Sequence, residues 1–268
     1  QLLLYTNKLE ILVEDRTLEL QSLIKQMHQA KEEVSQSLEK ERELNQLKSR
    51  FVSMASHEFR TPLSSIQLSA SLIDKYSQDY NNINIKKHVS KIKTGIGNLT
   101  TILNDFLSLE RLEKGVVSAT FEEIDLVKFA EEITEEMQLV AKQNQNIIYQ
   151  HTGTKSLVNT DGNLLKNCII NLMANAIKYS GEDTFIEFNT EITDYKFELT
   201  VKDNGIGIPL GEQKHLFEAF FRAHNTGSIP GTGLGLNIVD RYIKLMNGRI
   251  AFKSQENEGT TFALIFDL

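Results

Sequence analysis

The sequence predicts a helical front half followed by an α/β back half: a coiled-coil linker, a helical hairpin that pairs into a dimeric four-helix bundle, and an α/β sandwich. Three observations carry that expectation. Apolar residues recur at heptad and then helical spacing from Leu2 to Leu109. From Thr120 onward strand-like and helical runs are mixed, the pattern of helices laid on one face of a mixed sheet. Only three prolines occur, Pro62, Pro209 and Pro230, and proline-free stretches suit long helices.

The first element is an a/d seam through Leu2, Leu9, Val13, Leu20, Leu23, Met27, Ala30 and Val34, interrupted by Thr6 and Arg16. After Val34 its phase slips to Leu38, Leu44, Leu47 and Phe51, which resembles a stutter. Glu10, Glu32, Glu33, Lys40 and Arg42 flank it. A coiled coil with a second copy is the economical reading, and an amphipathic helix packed on another domain is the alternative. The helix continues through Phe59, Leu63, Ile66 and Ile73 to a polar turn at residues 77–84. A second helix carries Val89, Ile92, Ile96, Leu99, Leu103, Phe106 and Leu109 on one face. Such a hairpin cannot bury its stripes alone, and pairing two of them into a four-helix bundle solves that. Gly95 and Gly97 would each cost that helix about 1 kcal/mol relative to Ala, for no reason visible in the sequence.

Beyond Glu113-Lys114-Gly115 the reading is a helix over 126–142, a strand at 147–149 and a helix over 161–179. Strands over 184–192 and 196–202, a glycine-rich loop, a helix over 235–247, and strands over 249–254 and 260–267 complete it. The expected organisation is a linker over 1–47, a helical hairpin over 48–115 and an α/β domain over 116–268.

Composition narrows the function classes. The 268 residues carry a net charge of −7, and no apolar run approaches the ~18 residues of a membrane span. A single cysteine excludes a disulfide scaffold and suits a reducing, cytoplasmic setting. Cys168, inside an apolar run, reads as a small buried hydrophobe. The chain starts at Gln1 with neither an initiator Met nor a signal-peptide pattern, and reads as part of a longer protein. Residues 1–112 hold 15 basic and 14 acidic side chains, and residues 113–268 hold 14 and 22. An acidic back half excludes nonspecific nucleic-acid binding, which needs a basic footprint. Taken naively, it also argues against a phosphate-bearing ligand.

Three groups of residues carry chemistry. In Ser56-His57-Glu58-Phe59-Arg60-Thr61-Pro62, Phe59 and Leu63 fall on the buried stripe, which leaves His57 outward with Thr61 four residues on. Pro62 withholds a donor from the carbonyl of Glu58 and bends the helix there. A largely neutral imidazole can act as a nucleophile, and an ordinary solvated histidine is the bland reading. The helix 161–179 is apolar almost all round, yet Asn167, Asn171, Asn175 and Lys178 form one polar stripe. Amide oxygens can hold a hard cation and a lysine can meet phosphate; a helix-to-loop hydrogen-bond network is the alternative. Seven glycines fall between residues 205 and 235. Asp203-Asn204-Gly205-Ile206-Gly207-Ile208-Pro209 offers a carboxylate to an adenine amine, and Gly231-Thr232-Gly233-Leu234-Gly235-Leu236 opens a helix whose N–H groups suit phosphate.

In this order the motifs resemble the catalytic core of the sensor histidine kinases of two-component signalling. Ser56–Pro62 resembles their H box, residues 167–179 the N box, Asp203–Pro209 the first glycine box, Leu216–Arg222 the F box and Gly231–Leu236 the second glycine box. Gly259-Thr260-Thr261-Phe262 also matches, and Ile11–Thr17 is similar to the family's signalling helices. The resemblance covers residues 45–268. It implies a dimeric helical-hairpin bundle joined to an ATP-binding α/β sandwich of the gyrase/histidine-kinase superfamily. It implies His57 as phosphoacceptor, Glu58 as its proton acceptor, and Thr61 as the residue that positions water in dephosphorylation. Asn175 would be the principal Mg²⁺ ligand with Asn171 in support, Lys178 and Tyr179 would meet phosphate or ribose, and Asp203 would read adenine with Thr260 behind it. Gly205, Gly207, Ile208, Phe217, Arg222, Gly231, Gly233, Leu234, Gly235 and Leu236 would complete the nucleotide site, with residues 210–230 as a mobile lid. The implied cofactors are ATP and Mg²⁺. The implied partners are a second copy of the chain and a separate response regulator, with a sensor and any membrane contact belonging to upstream segments. A nucleotide-binding scaffold without phosphorylation, and a core dominated by phosphatase activity, are the rival readings.

Overall fold

The protein is described by a computed structural model covering residues 62–73 and 83–268 except Ser228, with Phe59 and scattered residues between Arg16 and Glu41. The chain divides into two units, Gln1–Ser53 and Met54–Leu268. In the first, every described residue is helical and exposed, including the seam residues Leu20, Met27 and Val34. The rest of the predicted seam lies outside the described residues.

The second unit opens with a hairpin of α1 (residues 62–73) and α2 (Ile83–Glu113). Gly95 now has a reason. A Cβ there would sit 2.9 Å from Ile66 Cγ1 and 3.4 Å from Pro62 O, so the missing side chain lets the helices close. Gly97 has open space around it, and nothing in the structure explains it. The stripe predicted on α2 divides between two faces. Leu109 and the neighbouring Ile102 are buried, whereas Val89, Ile96 and Leu103, each seven residues apart, are exposed.

The α/β portion runs β1 (Glu122–Asp125), α3 (Leu126–Gln138), β2 (Asn146–Thr152), β3 (Leu157–Thr160), α4 (Gly162–Tyr179), β4 (Phe185–Ile192), β5 (Lys196–Asp203), α5 (Gly235–Leu245), β6 (Arg249–Gln255) and β7 (Gly259–Asp267). The main sheet has the order β2-β4-β5-β7-β6, parallel between β2 and β4 and antiparallel elsewhere. Alternate residues of β4 and β5 face the helices: Ile186, Phe188, Thr190 and Ile192, then Phe197, Leu199, Val201 and Asp203. Asp203 ends an inward-facing series, so the strand period of two points it to the helix side. Leu126, Ala130 and Ile133 of α3, Leu165, Ile169, Leu172 and Met173 of α4, and Ile238, Val239 and Ile243 of α5 fill the space above the sheet. Cys168 is fully buried among them, and burial pushes its thiol well above the ordinary value. No helix among the described residues is long and apolar enough to cross a membrane.

Two expectations are corrected. Helix α3 stops at Gln138, not 142: the Gln138 side chain bonds Gln145 O and Ile147 N, the chain turns between them with Asn144 at φ 55°, and Leu139 and Val140 are left exposed. Strands β1 and β3, absent from the sequence reading, pair antiparallel as a separate two-stranded sheet. Their four-residue length is too short for a period to show.

Two aspartates start the helices. Asp125 accepts from Val127 N and Lys128 N (3.1 and 3.2 Å). Buried Asp161 accepts from Leu164 N (2.9 Å) and from Thr120 N across the chain (2.8 Å). Replacing Asp161 by Ala removes an N-cap and orphans two donors, and should lower stability by about 1–3 kcal/mol. Urea unfolding should show a lower midpoint with an unchanged m-value.

Candidate functional site

A cavity of about 870 Å³ lies among α4, the end of β5, the start of α5 and the α1–α2 hairpin. Asn171, Asn175, Lys178 and Tyr179 of the α4 stripe line it, and Asn167 does not. Asn167 Nδ2 donates to Asn163 O (2.9 Å) and Asn171 Nδ2 to Asn167 O (3.0 Å). The amide donors are thus spent on their own helix, while Asn171 Oδ1 abuts Gly235. The Asn175 side chain makes no hydrogen bond among the described residues. Lys178 Nζ donates to Tyr179 OH (3.0 Å) and lies 4.6 Å from that ring's centroid.

Asp203 sits on the cavity wall, buried, with Oδ1 accepting from Gly205 N at 2.8 Å and a further bond from the Thr260 backbone. Burial raises its carboxyl to about 6, against the pull of those two N–H donors. Gly207 has φ +61°, and a Cβ there would lie 1.9 Å from Gln255 O, so only glycine lets this loop pass the β6–β7 turn. Ile208 N donates to Ser254 Oγ (2.9 Å), which also meets Thr260 Oγ1 (2.8 Å). Ile208 and Thr260 line the cavity with Gly207, while Gly205 is buried behind Asp203.

Gly231, Gly233, Gly235 and Leu236 line the cavity at the N-terminus of α5, with Gly231 against Lys178 and Gly235 against Asn171. Leu234 does not face the cavity; it is fully buried in the core. Phe217 is also displaced from the expected role, packing edge-on against Phe252 (5.8 Å) with its carbonyl accepting from Asn237 Nδ2 (2.7 Å). Arg222 lines the cavity but donates to Gly231 O (3.2 Å) and Ile229 O. The segment 210–230 is held by several bonds. Gln213 Nε2 reaches Ile208 O and Ser254 O (both 3.0 Å), His224 Nδ1 lies 2.6 Å from Glu212 Oε1, and Asn225 Nδ2 donates to Gly207 O (3.0 Å).

The hairpin supplies a residue that the sequence reading missed. Thr232 Oγ1 donates to Asp105 Oδ2 (2.9 Å), and Arg241 of α5 pairs with Glu113 of α2 (2.6 Å). Burial holds the Asp105 carboxyl above its usual range, while the Thr232 bond and the nearby Lys178 charge pull it down. Nothing in the sequence separates Asp105 from any solvated acid on a helix. His57, Glu58 and Thr61 lie outside the described residues. Pro62, five residues beyond His57, is buried and lines the cavity.

Comparison with known proteins gives two family matches: the His Kinase A (phospho-acceptor) domain over residues 47–115, and the histidine kinase-, DNA gyrase B- and HSP90-like ATPase over residues 160–268. Sensor protein kinase PmrB of Pseudomonas aeruginosa is 31% identical over 93% of this chain and 50% of that protein. Signal transduction histidine-protein kinase BarA of Escherichia coli is 30% identical over 96% of this chain and 29% of that protein. The chain therefore spans half or less of either relative's length. Among solved structures, histidine kinase ThkA in complex with response regulator protein TrrA superposes with a TM-score of 0.62 at 22% identity, covering 84% of this chain and 63% of that one. Histidine kinase AdeS of Acinetobacter baumannii gives 0.57 at 22%, covering 79% and 97%. These two structures support the fold.

Asp203 makes a testable contribution to stability. Its folded value of about 6 lies above the ordinary 3.8, so the folded state binds more protons and is favoured as pH falls. Urea midpoints of wild type and Asp203→Asn should diverge in favour of wild type by roughly 1 kcal/mol between pH 7.5 and pH 5. A difference independent of pH would show that the carboxyl titrates normally.

Proposed function

The chain belongs to the histidine kinase family, and on that footing we propose that it binds Mg-ATP in the cavity beside α4 and phosphorylates His57. The observation that carries this reading is the convergence of Asn171, Asn175, Lys178, Asp203 and the glycine-opened start of α5 on one chamber walled by the α1–α2 hairpin. Asp203, held by two backbone donors, accepts from the adenine amine. The N–H groups at Gly231–Gly235 and the Lys178 ammonium face the phosphates. The residues present fit a hard cation: the Asn171 and Asn175 amide oxygens are oxygen donors, and the Asn171 amide N–H is already committed to its own helix. A Mg²⁺ ion held there would neutralise phosphate charge.

In the proposed reaction a ring nitrogen of His57 forms a bond to the γ-phosphorus as the bond from that phosphorus to the bridging oxygen breaks. ADP leaves with the electron pair, and Glu58 takes the imidazole proton. The phosphoryl group then passes to an aspartate of a response regulator, and Thr61 positions water for its removal. The solved complex of ThkA with a response regulator protein supports this choice of partner. The exposed heptad stripe of Val89, Ile96 and Leu103 supports a homodimer, because a second hairpin would cover it. The signal would enter through residues 1–47.

With γ-labelled ATP, wild type should gain acid-labile, alkali-stable label. His57→Gln should lose it while still binding nucleotide, and Asn175→Ala should lose both. Undiminished label in His57→Gln would remove His57 as the acceptor. Affinity for adenosine, which brings no titrating phosphate, should fall about tenfold from pH 7 to pH 5 as Asp203 protonates. A flat profile would argue against Asp203 as the adenine acceptor.

A further inference from the structure

Helix α4 brings Lys178 and Tyr179 to the cavity on its last turn, and it ends without a glycine cap: Ser180 follows in an extended conformation. The final four carbonyls of a helix lack intrahelical partners, and buried ones need donors from elsewhere. Each has one here. Ala176 O accepts from Ser180 N (3.1 Å) and Ser180 Oγ (2.5 Å). Ile177 O accepts from Gln145 Nε2 (3.5 Å), Lys178 O from Lys142 Nζ (2.9 Å) and Tyr179 O from Ile206 N (3.2 Å).

Two of those donors come from the turn after α3. The Lys142 ammonium also reaches Ser180 O at 2.5 Å, so it grips the helix end on both sides of Tyr179. Gln145 is buried, and its Nε2 lies within bonding distance of Ser180 Oγ (2.8 Å), Gly181 O (3.1 Å) and Thr184 Oγ1 (3.2 Å). Its Oε1 accepts from Lys142 N (3.1 Å), which joins the two residues into one clasp. A cation at a helix C-terminus is also favoured by the helix dipole. Neither Lys142 nor Gln145 lines the cavity, so neither can act by touching a ligand there.

We propose that Lys142 and Gln145 are positioning residues, holding the last turn of α4 so that Lys178 and Tyr179 stand where a nucleotide's phosphate and ribose arrive. This rests on the reading of the cavity as a nucleotide site. Without the Lys142 ammonium, Lys178 O and Ser180 O lose their donor and the last turn frays. Misplacement of binding groups by about 1 Å is enough to weaken a preorganised site.

The test uses the full chain and a non-hydrolysable ATP analogue with Mg²⁺, titrated calorimetrically well below the unfolding midpoint. Lys142→Met, at a half-buried site, should raise Kd about fivefold to tenfold while the ligand-free Tm falls by only a few degrees. Lys142→Arg keeps a charged donor and should bind within about twofold of wild type. Gln145→Leu should shift Kd in the same direction as Lys142→Met, and the lysine pair decides the matter alone where the buried variant does not fold. A Lys142→Met Kd within twofold of wild type overturns the proposal, whatever happens to Tm, because that is the signature of a merely structural role. Arginine binding as weakly as methionine overturns it as well. Wild type failing to bind the analogue would instead overturn the nucleotide reading beneath it.

Discussion

The arrangement of the cavity depends on how α4 is buried. Leu165, Cys168, Ile169, Leu172 and Met173 are fully or almost fully inaccessible, packed between the sheet, α3 and α5. Burying a large apolar side chain is worth about 1.5–3 kcal/mol, so rotating α4 by one residue would expose several such groups and bury unpaired amides. The polar stripe is therefore fixed in direction by the apolar majority around it. Asp161 sets where the helix starts, and the 18 residues that follow bring Lys178 and Tyr179 to the far end. The neighbouring wall is set by strand register: Asp203 pairs with Thr260 across β5 and β7, which puts the carboxylate and its Thr260 donor side by side.

Charge at the cavity runs against the charge of the domain that holds it. Residues 113–268 carry an excess of acids, yet the proposed ligand is a polyphosphate. Net charge is a property of the whole surface, screened over about 10 Å in salt, whereas the chamber wall is decided by a few nearby groups. Those groups are Lys178 and Lys91, the N–H groups at the start of α5 and amide oxygens suited to a cation. Asp203 shows the converse: desolvation outweighs two backbone donors, and its carboxyl titrates near 6. The acidic balance retains its force against nucleic acid, where a broad basic surface is required.

Much of this was legible in the residues themselves. The stripe Asn171, Asn175 and Lys178 announced a partner because asparagine is an uneconomical choice on an apolar helix, and the paired glycine clusters announced close backbone approach. The side on which Asp203 falls followed only once the burial pattern of β5 was known. What escaped is non-local. Gly95 reads as a helix fault until Ile66 is placed against it. Phe217 and Leu234 sit inside motifs, but motif membership does not say which way a side chain points; packing with Phe252 and the core decided that. Residues 139–142 read as the end of a helix because the partners of this turn, the carbonyls of residues 177–181, lie more than thirty residues along the chain.

The least legible feature is the link between the hairpin and the glycine-rich wall. Thr232 joins the two: its hydroxyl oxygen accepts from Leu234 N (3.2 Å) at the start of α5 while its proton is given to Asp105 of α2 (2.9 Å). The loop's conformation and the hairpin's acid are thus parts of one hydrogen-bond chain, in a partly dehydrated setting where such bonds strengthen each other. The Arg241–Glu113 pair on the same two helices is half-exposed and worth little by itself, but it repeats the contact further along α2. An anion arriving at the N-terminus of α5 would share this space with the Asp105 carboxylate, and like charges at low dielectric repel. An anion that binds the glycine wall and feels that repulsion would weaken the hairpin contact, and the contact would then lower the anion's affinity by the same amount. That reciprocity follows from the position of one acid on α2, and it gives the helical and α/β halves of the unit a physical means of affecting each other.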